Sequence, residues 1–108
     1  MITTTTTSDP MTITKESIEK QLKYPSKWNV LFWNDDVTPM GFVVYVLSEV
    51  FKHGDTASFD LMMKIHNEGK AVVGSYIKSI AESKMVIAKS MAEKAGYPLE
   101  VTIEKEIQ

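Results

Sequence analysis

The polar chemistry of this chain is concentrated in one short run, Asn34-Asp35-Asp36, which is followed after one residue by Thr38. Amide, carboxylate and hydroxyl oxygens at such close positions are hydrogen-bond acceptors, so the run can bind a cation or the N–H groups of a peptide. The same residue types are common in turns, where Asn and Asp side chains bond their own backbone and cap helices. The run therefore indicates either a binding site or a strand-to-helix turn.

A histidine is the second feature of interest. The sequence predicts that His66 lies on the inner face of a helix, one turn after Met62. A lone histidine on an apolar face is more often a hydrogen-bonded core residue than a functional one. If the fold brings it to the polar run, its neutral ring adds one more acceptor.

Metal binding and catalysis are the less favoured functions of these residues. Adjacent carboxylates such as Asp35 and Asp36 rarely converge on one ion, and no second histidine lies close to His66 in the sequence. Neighbouring strand residues point to opposite faces, which argues against hydrolysis by two facing carboxylates. The chain also lacks a G-x-S-x-G elbow or a comparable nucleophile motif. We expect no enzyme, no metal and no cofactor, and a metal-dependent hydrolase using Asp35, Asp36 and His66 remains the last-ranked alternative.

Recognition of a cation beside an apolar side chain suits the residues better. Acceptors from the polar run and from His66 would bind an ammonium group, and apolar residues predicted near the same junction would line an adjacent pocket. Those apolar residues are Met40, Val43, Met62 and Ile65. Such a site would suit a free α-amino group attached to a bulky apolar residue. By periodicity alone, however, the four apolar residues are better explained as hydrophobic core.

A strand and a helix are predicted on the two sides of the polar run. From Lys27 the residues alternate as in a strand, with Trp28, Val30 and Phe32 on one face and Asn29, Leu31 and Trp33 on the other. Thr38 and Pro39 predict a helix start, with Thr38 as the cap and Pro39 in the first helical position. Apolar residues at helical spacing continue to Phe51, and Gly54 is predicted as the left-handed cap that ends this helix.

The remaining elements complete a β-α-α-β-α-β order. A second helix is predicted from a cap at Asp55 to Gly69, a strand over 71–76, a third helix from a capping box of Ser79 and Glu82 to Gly96, and a strand from Leu99. The predicted inner faces are Ser58, Leu61, Met62, Ile65 and His66 in the second helix, and Ile80, Met85, Ile87, Ala88 and Met91 in the third. This order predicts an α+β fold in which a three-stranded antiparallel sheet packs on three helices.

Bulk properties set the limits of the interpretation. The 108 residues suffice for a single core, and 12 basic against 14 acidic residues lack the positive excess that nucleic-acid binding requires. The chain has no cysteine and no apolar run long enough to span a bilayer, so we expect a cytoplasmic location and no membrane partner. Residues 1–23 are rich in Thr and poor in aromatics, and they are predicted to form a disordered N-terminal extension to a core domain over 24–108. Nothing in the sequence indicates more than a monomer.

Four motifs stand out in the sequence. They are Asn34-Asp35-Asp36-x-Thr38-Pro39-Met40-x-Phe42-Val43, Met62-x-x-Ile65-His66-x-x-Gly69-Lys70-Ala71, Ala81-Glu82-x-Lys84 and Pro98-Leu99. Taken together, these motifs resemble the ClpS family of protease adaptors over roughly Tyr24 to Lys105. The first two motifs are specific in combination.

The resemblance implies a binder of N-degrons, which are proteins that begin with Leu, Phe, Tyr or Trp, and their delivery to a ClpA-like or ClpC-like AAA+ unfoldase with its peptidase. It implies that Asn34 and His66 contact the α-amino group, that Asp36 helps through water and that Asp35 holds the following peptide unit. Met40 would be a gate against β-branched side chains. The side-chain pocket implied by the resemblance comprises Phe32, Trp33, Thr38, Met40, Val43, Met62, Ile65 and Leu99. The implied docking surface for the unfoldase's N-terminal domain comprises Ser79, Glu82 and Lys84.

A second family gives the alternative. The coarse topology also resembles the C-terminal domain of the ribosomal stalk protein, which would make the chain a translation-factor-binding module. The Asn34–Asp36 run would then be an ordinary turn.

Overall fold

The structure of the chain, a computed structural model, describes residues 26–106. The predicted disordered extension, residues 1–23, lies outside the described residues. The elements are β1 (Trp28–Trp33), α1 (Met40–Glu49), α2 (Asp55–Glu68), β2 (Lys70–Tyr76), α3 (Lys78–Ala95) and β3 (Glu100–Lys105). The predicted β-α-α-β-α-β order and α+β class are confirmed.

The first strand occupies the centre of the sheet. The strand order is β2-β1-β3, and both pairings with β1 are antiparallel. The pairing of β1 with β2 shifts register between Val30 and Leu31, whereas its pairing with β3 is continuous. Just beyond β1, the backbone N–H of Asn34 donates to the carbonyl of Gly69 at 2.8 Å. This bond ties the end of the central strand to the turn after α2.

The core lies between one face of the sheet and the helices. Alternate residues of β1, Val30 and Phe32, are both fully buried in it, and the Phe32 ring packs edge-on against Phe51 with centroids 5.5 Å apart. The other face of β1 carries Asn29, Leu31 and Trp33, as the alternation predicts, although Leu31 is also buried. The other buried members of the core are Val43, Val46, Leu47, Val50, Met62, Ile65, Ala71, Val73, Ala81, Ala88, Ala92, Leu99 and Val101.

The third helix packs through smaller residues than predicted. Its buried apolar residues are Ala81, Ala88 and Ala92, whereas Ile87, predicted on the inner face, is 44% exposed. Met85 is only half-buried at the edge of the core. Alanine has the smallest apolar side chain, so the axis of α3 can approach the sheet closely, and bulkier residues lie along the sides of the contact.

All three predicted helix starts are wrong by one or two residues. The residues at the capping positions are Pro39, Gly54 and Ile77, and none of the three makes a side-chain cap bond. Thr38 lies one residue before the cap of α1, and Asp55 is the first residue of α2. The predicted capping box of Ser79 and Glu82 does not form, because Ser79 is already the second residue of α3.

Helix ends are predicted correctly where glycine has positive φ. Gly69 and Gly96 cap α2 and α3 with φ of 91° and 83°. The first helix differs, because it ends at Glu49 with Val50 as its cap, and Gly54 has an ordinary φ of −71°. The left-handed residue of this turn is Lys52, with φ of 60°. Across residues 26–106, no helix is long and apolar enough to cross a membrane.

Candidate functional site

The polar run forms the loop between β1 and α1, and Asp35 organises it. One oxygen of Asp35, Oδ1, accepts the backbone N–H groups of Val37 at 2.8 Å and Thr38 at 2.6 Å. The other oxygen, Oδ2, accepts the Thr38 hydroxyl at 2.8 Å. The turn chemistry anticipated from the sequence is therefore real, but it is carried by Asp35, and the Thr38 hydroxyl serves this carboxylate instead of capping α1.

The same bonds set the ionisation of Asp35. Partial burial raises the pKa of Asp35, but the hydrogen bonds from Thr38 backbone, Thr38 hydroxyl and Val37 backbone outweigh it. The pKa therefore lies below the ordinary value of 3.8. Because all three donors bond the charged carboxylate, the loop is held most firmly when Asp35 is ionised.

This loop and the end of α2 enclose a cavity of about 340 Å³. Five predicted site residues from the loop and the first turn of α1 line this cavity, and His66 reaches it from the last turn of α2. The fold therefore brings the polar run and the histidine together. The lining comprises Asn34, Asp35, Asp36, Val37, Thr38, Pro39, Met40 and His66. A cavity of this size falls in the range that holds small ligands.

The acceptors of the cavity are largely unused. Asn34, Asp36 and His66 are all exposed, so His66 lies at the rim of the cavity and not on the inner face of α2 as predicted. Within residues 26–106, no hydrogen bond or ion pair involves these three side chains. Two carboxylates, an amide oxygen and an imidazole nitrogen thus surround a space where an ammonium group would find several acceptors.

The apolar residues predicted near the loop differ in exposure. Val43, Met62 and Ile65 are buried at 7%, 5% and 3% exposure, so they are core residues in this structure, as periodicity alone favours. Met40, by contrast, is 44% exposed and lines the cavity directly. Of these four apolar residues, Met40 alone lines the cavity, and its side chain is unbranched and flexible.

Three predicted pocket residues lie elsewhere. Phe32 is fully buried in the core, against Phe51. Trp33 lies on the opposite face of the sheet, where its Nε1–H donates to Thr102 Oγ1 at 2.8 Å and the Lys70 ammonium lies 4.7 Å from its ring centroid. Leu99 is buried and lines a separate cavity of about 480 Å³.

The three residues predicted for partner docking differ in their exposure and in the hydrogen bonds that they already make. Ser79 is 9% exposed, and its hydroxyl has no hydrogen-bond partner among the described residues. Glu82 is half-buried on α3. The Lys84 ammonium donates to the carbonyl of Val50 at 2.8 Å and lies 5.6 Å from the Tyr76 ring centroid, so it closes the end of α1.

Sequence reasoning missed two lining residues, Val37 and Pro39. Val37 is 64% exposed, and neither core periodicity nor polar chemistry drew attention to it. Its position between Asp36 and Thr38 was the available signal, since a loop that encloses a cavity does so with consecutive residues. Within residues 26–106, no group of three or more His, Cys, Asp or Glu side chains is placed so that it could hold a metal ion.

Comparison with known proteins identifies the family. The family model described as ATP-dependent Clp protease adaptor protein ClpS matches residues 23–102. The chain belongs to the ClpS family. This assignment favours the adaptor over the stalk-like alternative.

Individual ClpS relatives match most of the chain. The ClpS adaptor of Leptothrix cholodnii is 44% identical over 89 residues, which are 80% of this chain and 77% of that protein. The ClpS adaptor of Leptospira biflexa is 42% identical over 92 residues, which are 85% and 81% of the two chains. Both are named as adaptors of an ATP-dependent protease, which is a non-catalytic role.

A solved ClpS structure has the same fold. Agrobacterium tumefaciens ClpS2 bound to L-phenylalaninamide matches with a TM-score of 0.74 and 39% sequence identity. The match covers 76% of this chain and 99% of that one.

Proposed function

We propose that this ClpS chain binds N-degrons that begin with Leu, Phe, Tyr or Trp and delivers them to a Clp AAA+ unfoldase and its peptidase. The observation that carries the proposal is the cavity in which Asn34, Asp36 and His66 present unused acceptors beside Met40. The ligand of the similar ClpS2 chain, L-phenylalaninamide, combines a free α-amino group with a bulky apolar side chain. That combination is the one we infer for this cavity.

The α-amino group would be bound by the polar side of the cavity. We assign direct contacts to Asn34 and His66, with Asp36 acting through water. Each hydrogen bond to a charged group contributes about 1.5–3 kcal/mol, and several can form. Burial of the one large apolar side chain contributes a similar amount, but only once. Micromolar affinity requires about 8 kcal/mol, so the ammonium contacts must supply much of the binding energy. An acetylated or internal residue lacks the charged donor and would leave the acceptors unpaired.

Asp35 would bind the peptide unit that follows the first residue. A carboxylate has about four acceptor sites, and Asp35 already uses three of them, two on Oδ1 and one on Oδ2. One site on Oδ2 remains, which suits a single backbone N–H. Asp35 would thus both organise the loop and fix the direction of the bound peptide.

The first side chain would enter beneath Met40. Movement of this flexible side chain would open a path from the cavity toward Val43, Met62 and Ile65, which are buried in the core. Leu, Phe, Tyr and Trp all carry a methylene at Cβ and can pass Met40. Val and Ile have a second branch at Cβ, which would collide at the same point, so Met40 would be the gate against them.

Delivery would use the outer surface of α3. Glu82 is half-buried there, and Lys84 keeps two of its three donors after bonding the Val50 carbonyl. We assign both residues to docking of the unfoldase's N-terminal domain. Ser79 is largely buried and would contribute by shaping the first turn of the helix.

Fluorescence polarisation with four peptides tests the proposal. Two peptides begin with Phe and Val and are otherwise identical, and each is prepared with a free and an acetylated amino terminus. We expect tight binding of the free Phe peptide alone. Equal binding of all four, or binding of none, would overturn the proposal.

Paired variants identify the site. Asn34→Ala should abolish binding of the free Phe peptide, while Asn67→Ala, a change at an exposed asparagine beside His66 outside the cavity lining, should have little effect. If Asn34→Ala bound the peptide as well as the wild type, the α-amino group would lie elsewhere.

A further inference from the structure

One apolar side chain of the cavity has no part in the function proposed so far. Val37 is 64% exposed, the highest value among the large apolar side chains of the described residues, and it lines the cavity. An exposed valine in a loop costs little by itself. At the rim of a cavity lined by Asn34, Asp35 and Asp36, however, it supplies apolar surface that the polar contacts of an α-amino group do not use.

The position of Val37 is fixed by the loop. Its backbone N–H donates to Asp35 Oδ1 at 2.8 Å, and the next residue, Thr38, bonds the same carboxylate twice. The side chain is therefore presented from an ordered turn. Contact with an apolar group at this point would lose little conformational entropy, because a valine backbone that is already held has one side-chain torsion to fix.

The unused acceptor of Asp35 places the ligand next to this side chain. If the N–H of a bound peptide's second residue takes the free site on Oδ2, that nitrogen and the Val37 nitrogen are held by the two oxygens of one carboxylate. The two nitrogens then lie no more than about 8 Å apart, given ordinary hydrogen-bond lengths. At separations of about 7–8 Å between neighbouring strands, a long side chain still reaches its neighbour, so a long second side chain on the same side of the peptide would reach Val37.

We propose that Val37 forms an apolar subsite for the second residue of the bound N-degron, so that this chain prefers a large apolar residue such as Leu there. The proposal rests on the proposed function and adds a second selected position to it. Met40, which is 44% exposed on the same rim, borders the subsite on the side of the first residue. Two consecutive residues of the substrate are then read, the first by the gated pocket and the second by the rim.

The test is a double-mutant cycle by fluorescence polarisation. Two peptides begin with Phe and differ only in the second residue, Leu or Ala, and each is titrated against wild type, Val37→Ala and Val37→Thr. In the wild type we expect the Leu peptide to bind about five-fold more tightly than the Ala peptide. In Val37→Ala the ratio should fall below about two-fold, mainly through weaker binding of the Leu peptide. Val37→Thr keeps the shape but replaces one methyl group with a hydroxyl. It should also lower the ratio, because less apolar surface is left to contact the Leu side chain.

A matched valine gives the control. Val86 is 38% exposed on α3, away from the cavity lining, so Val86→Ala should keep the wild-type ratio. Equal binding of the Leu and Ala peptides by the wild type, or an unchanged ratio in Val37→Ala, would overturn the inference and leave the proposed function standing. If neither peptide bound the wild type, both would fall together.

Discussion

The polar groups at the two ends of α1 differ in whether they have hydrogen-bond partners within the fold. At the start of the helix, Asn34, Asp36 and His66 surround a cavity with side-chain acceptors that no described residue uses. At its end, Lys84 bonds the Val50 carbonyl and His53 bonds the Val73 carbonyl. Polar groups left without partners favour a ligand, whereas polar groups that close off backbone carbonyls favour a fixed fold.

The chain's two histidines, one at each end, make this contrast measurable. His66→Ala should weaken binding of a free Phe peptide about 10- to 100-fold, because a hydrogen bond to a charged group is lost, while the free energy of unfolding changes by less than about 0.5 kcal/mol. His53 Nε2 donates to the Val73 carbonyl at 2.7 Å. His53→Ala should therefore lower the free energy of unfolding by about 1–2 kcal/mol with little effect on peptide affinity. Fluorescence polarisation and urea unfolding separate the two effects, and the reverse pattern would refute the comparison.

Lys84 extends the comparison to the third helix. Lys84→Met keeps most of the side-chain volume but removes the ammonium, so the half-buried end of α1 loses its donor. We expect the free energy of unfolding to fall by about 1–2 kcal/mol and peptide affinity to stay constant. Lys89→Met, at an exposed position of the same helix, should change stability by less than about 0.5 kcal/mol. Equal stability of the two variants would mean that the bond to Val50 contributes nothing.

The backbone at Lys52 offers a smaller and opposite effect. Lys52 has φ of 60°, a left-handed conformation that glycine adopts without steric cost. Lys52→Gly should raise the free energy of unfolding by about 0.5–1 kcal/mol, since relief of strain exceeds the entropy added to the unfolded chain. In contrast, Lys64→Gly, at an exposed position inside α2, should lower it by about 1 kcal/mol. Urea unfolding of both variants checks the sign, and destabilisation by Lys52→Gly would show that the turn is unstrained.

Asp35 gives the smallest expected effect, a stabilisation whose loss becomes visible as the pH falls into the acid range. Its pKa is lowered in the folded chain by hydrogen bonds from Thr38 and Val37, which together outweigh the rise that burial causes. The resulting stabilisation is complete above the ordinary pKa of 3.8, which applies to the unfolded chain, and is lost as the pH falls through the lower folded-state pKa. Wild type should therefore lose stability relative to Asp35→Asn below about pH 4. Parallel acid titrations of the two proteins, with unfolding followed by circular dichroism, would contradict this if the curves kept a constant separation.

Sequence patterns predicted helix ends well where the backbone needs a positive φ, because glycine is the residue that adopts it most easily. Gly69 and Gly96 end their helices with positive φ because glycine adopts that region without strain. The helix starts failed because several neighbouring polar residues compete for the same backbone groups. Thr38 is a good cap by type, yet Asp35 takes its hydroxyl, and Pro39 becomes the capping residue. Likewise, helical periodicity identified α3 but wrongly predicted Ile87 on its buried face. Hydrophobicity does not show how closely a helix approaches a sheet, and here the close contact is made by alanines.

The polar residues of the candidate site could be predicted from the sequence, but which apolar residues line the cavity and which are buried in the core could not. The polar run, Met40 and His66 were identified from residue types and spacing together with the family resemblance, and the fold does bring them to one cavity. The division between cavity and core could not be read from the sequence, since Val43 and Met40 have similar hydrophobicity and only three-dimensional packing distinguishes 7% from 44% exposure. Trp33, predicted for the pocket, does not line the cavity, for a simpler reason. In a strand it must face away from Phe32, and the cavity lies beyond the strand's end.

The central place of β1 has a consequence for the order in which the chain is synthesised. The strand that leads into the Asn34–Asp36 loop is made before the other described elements, but its partner β3 spans Glu100–Lys105, with Trp28 paired to Lys105. A nascent chain that has already exposed the loop and α1 therefore still holds β1 with one edge open until β3 has left the ribosome. The cavity should consequently reach its final form only after β3 has paired, and a chain shortened before Glu100 would carry every cavity residue without a completed sheet to hold them.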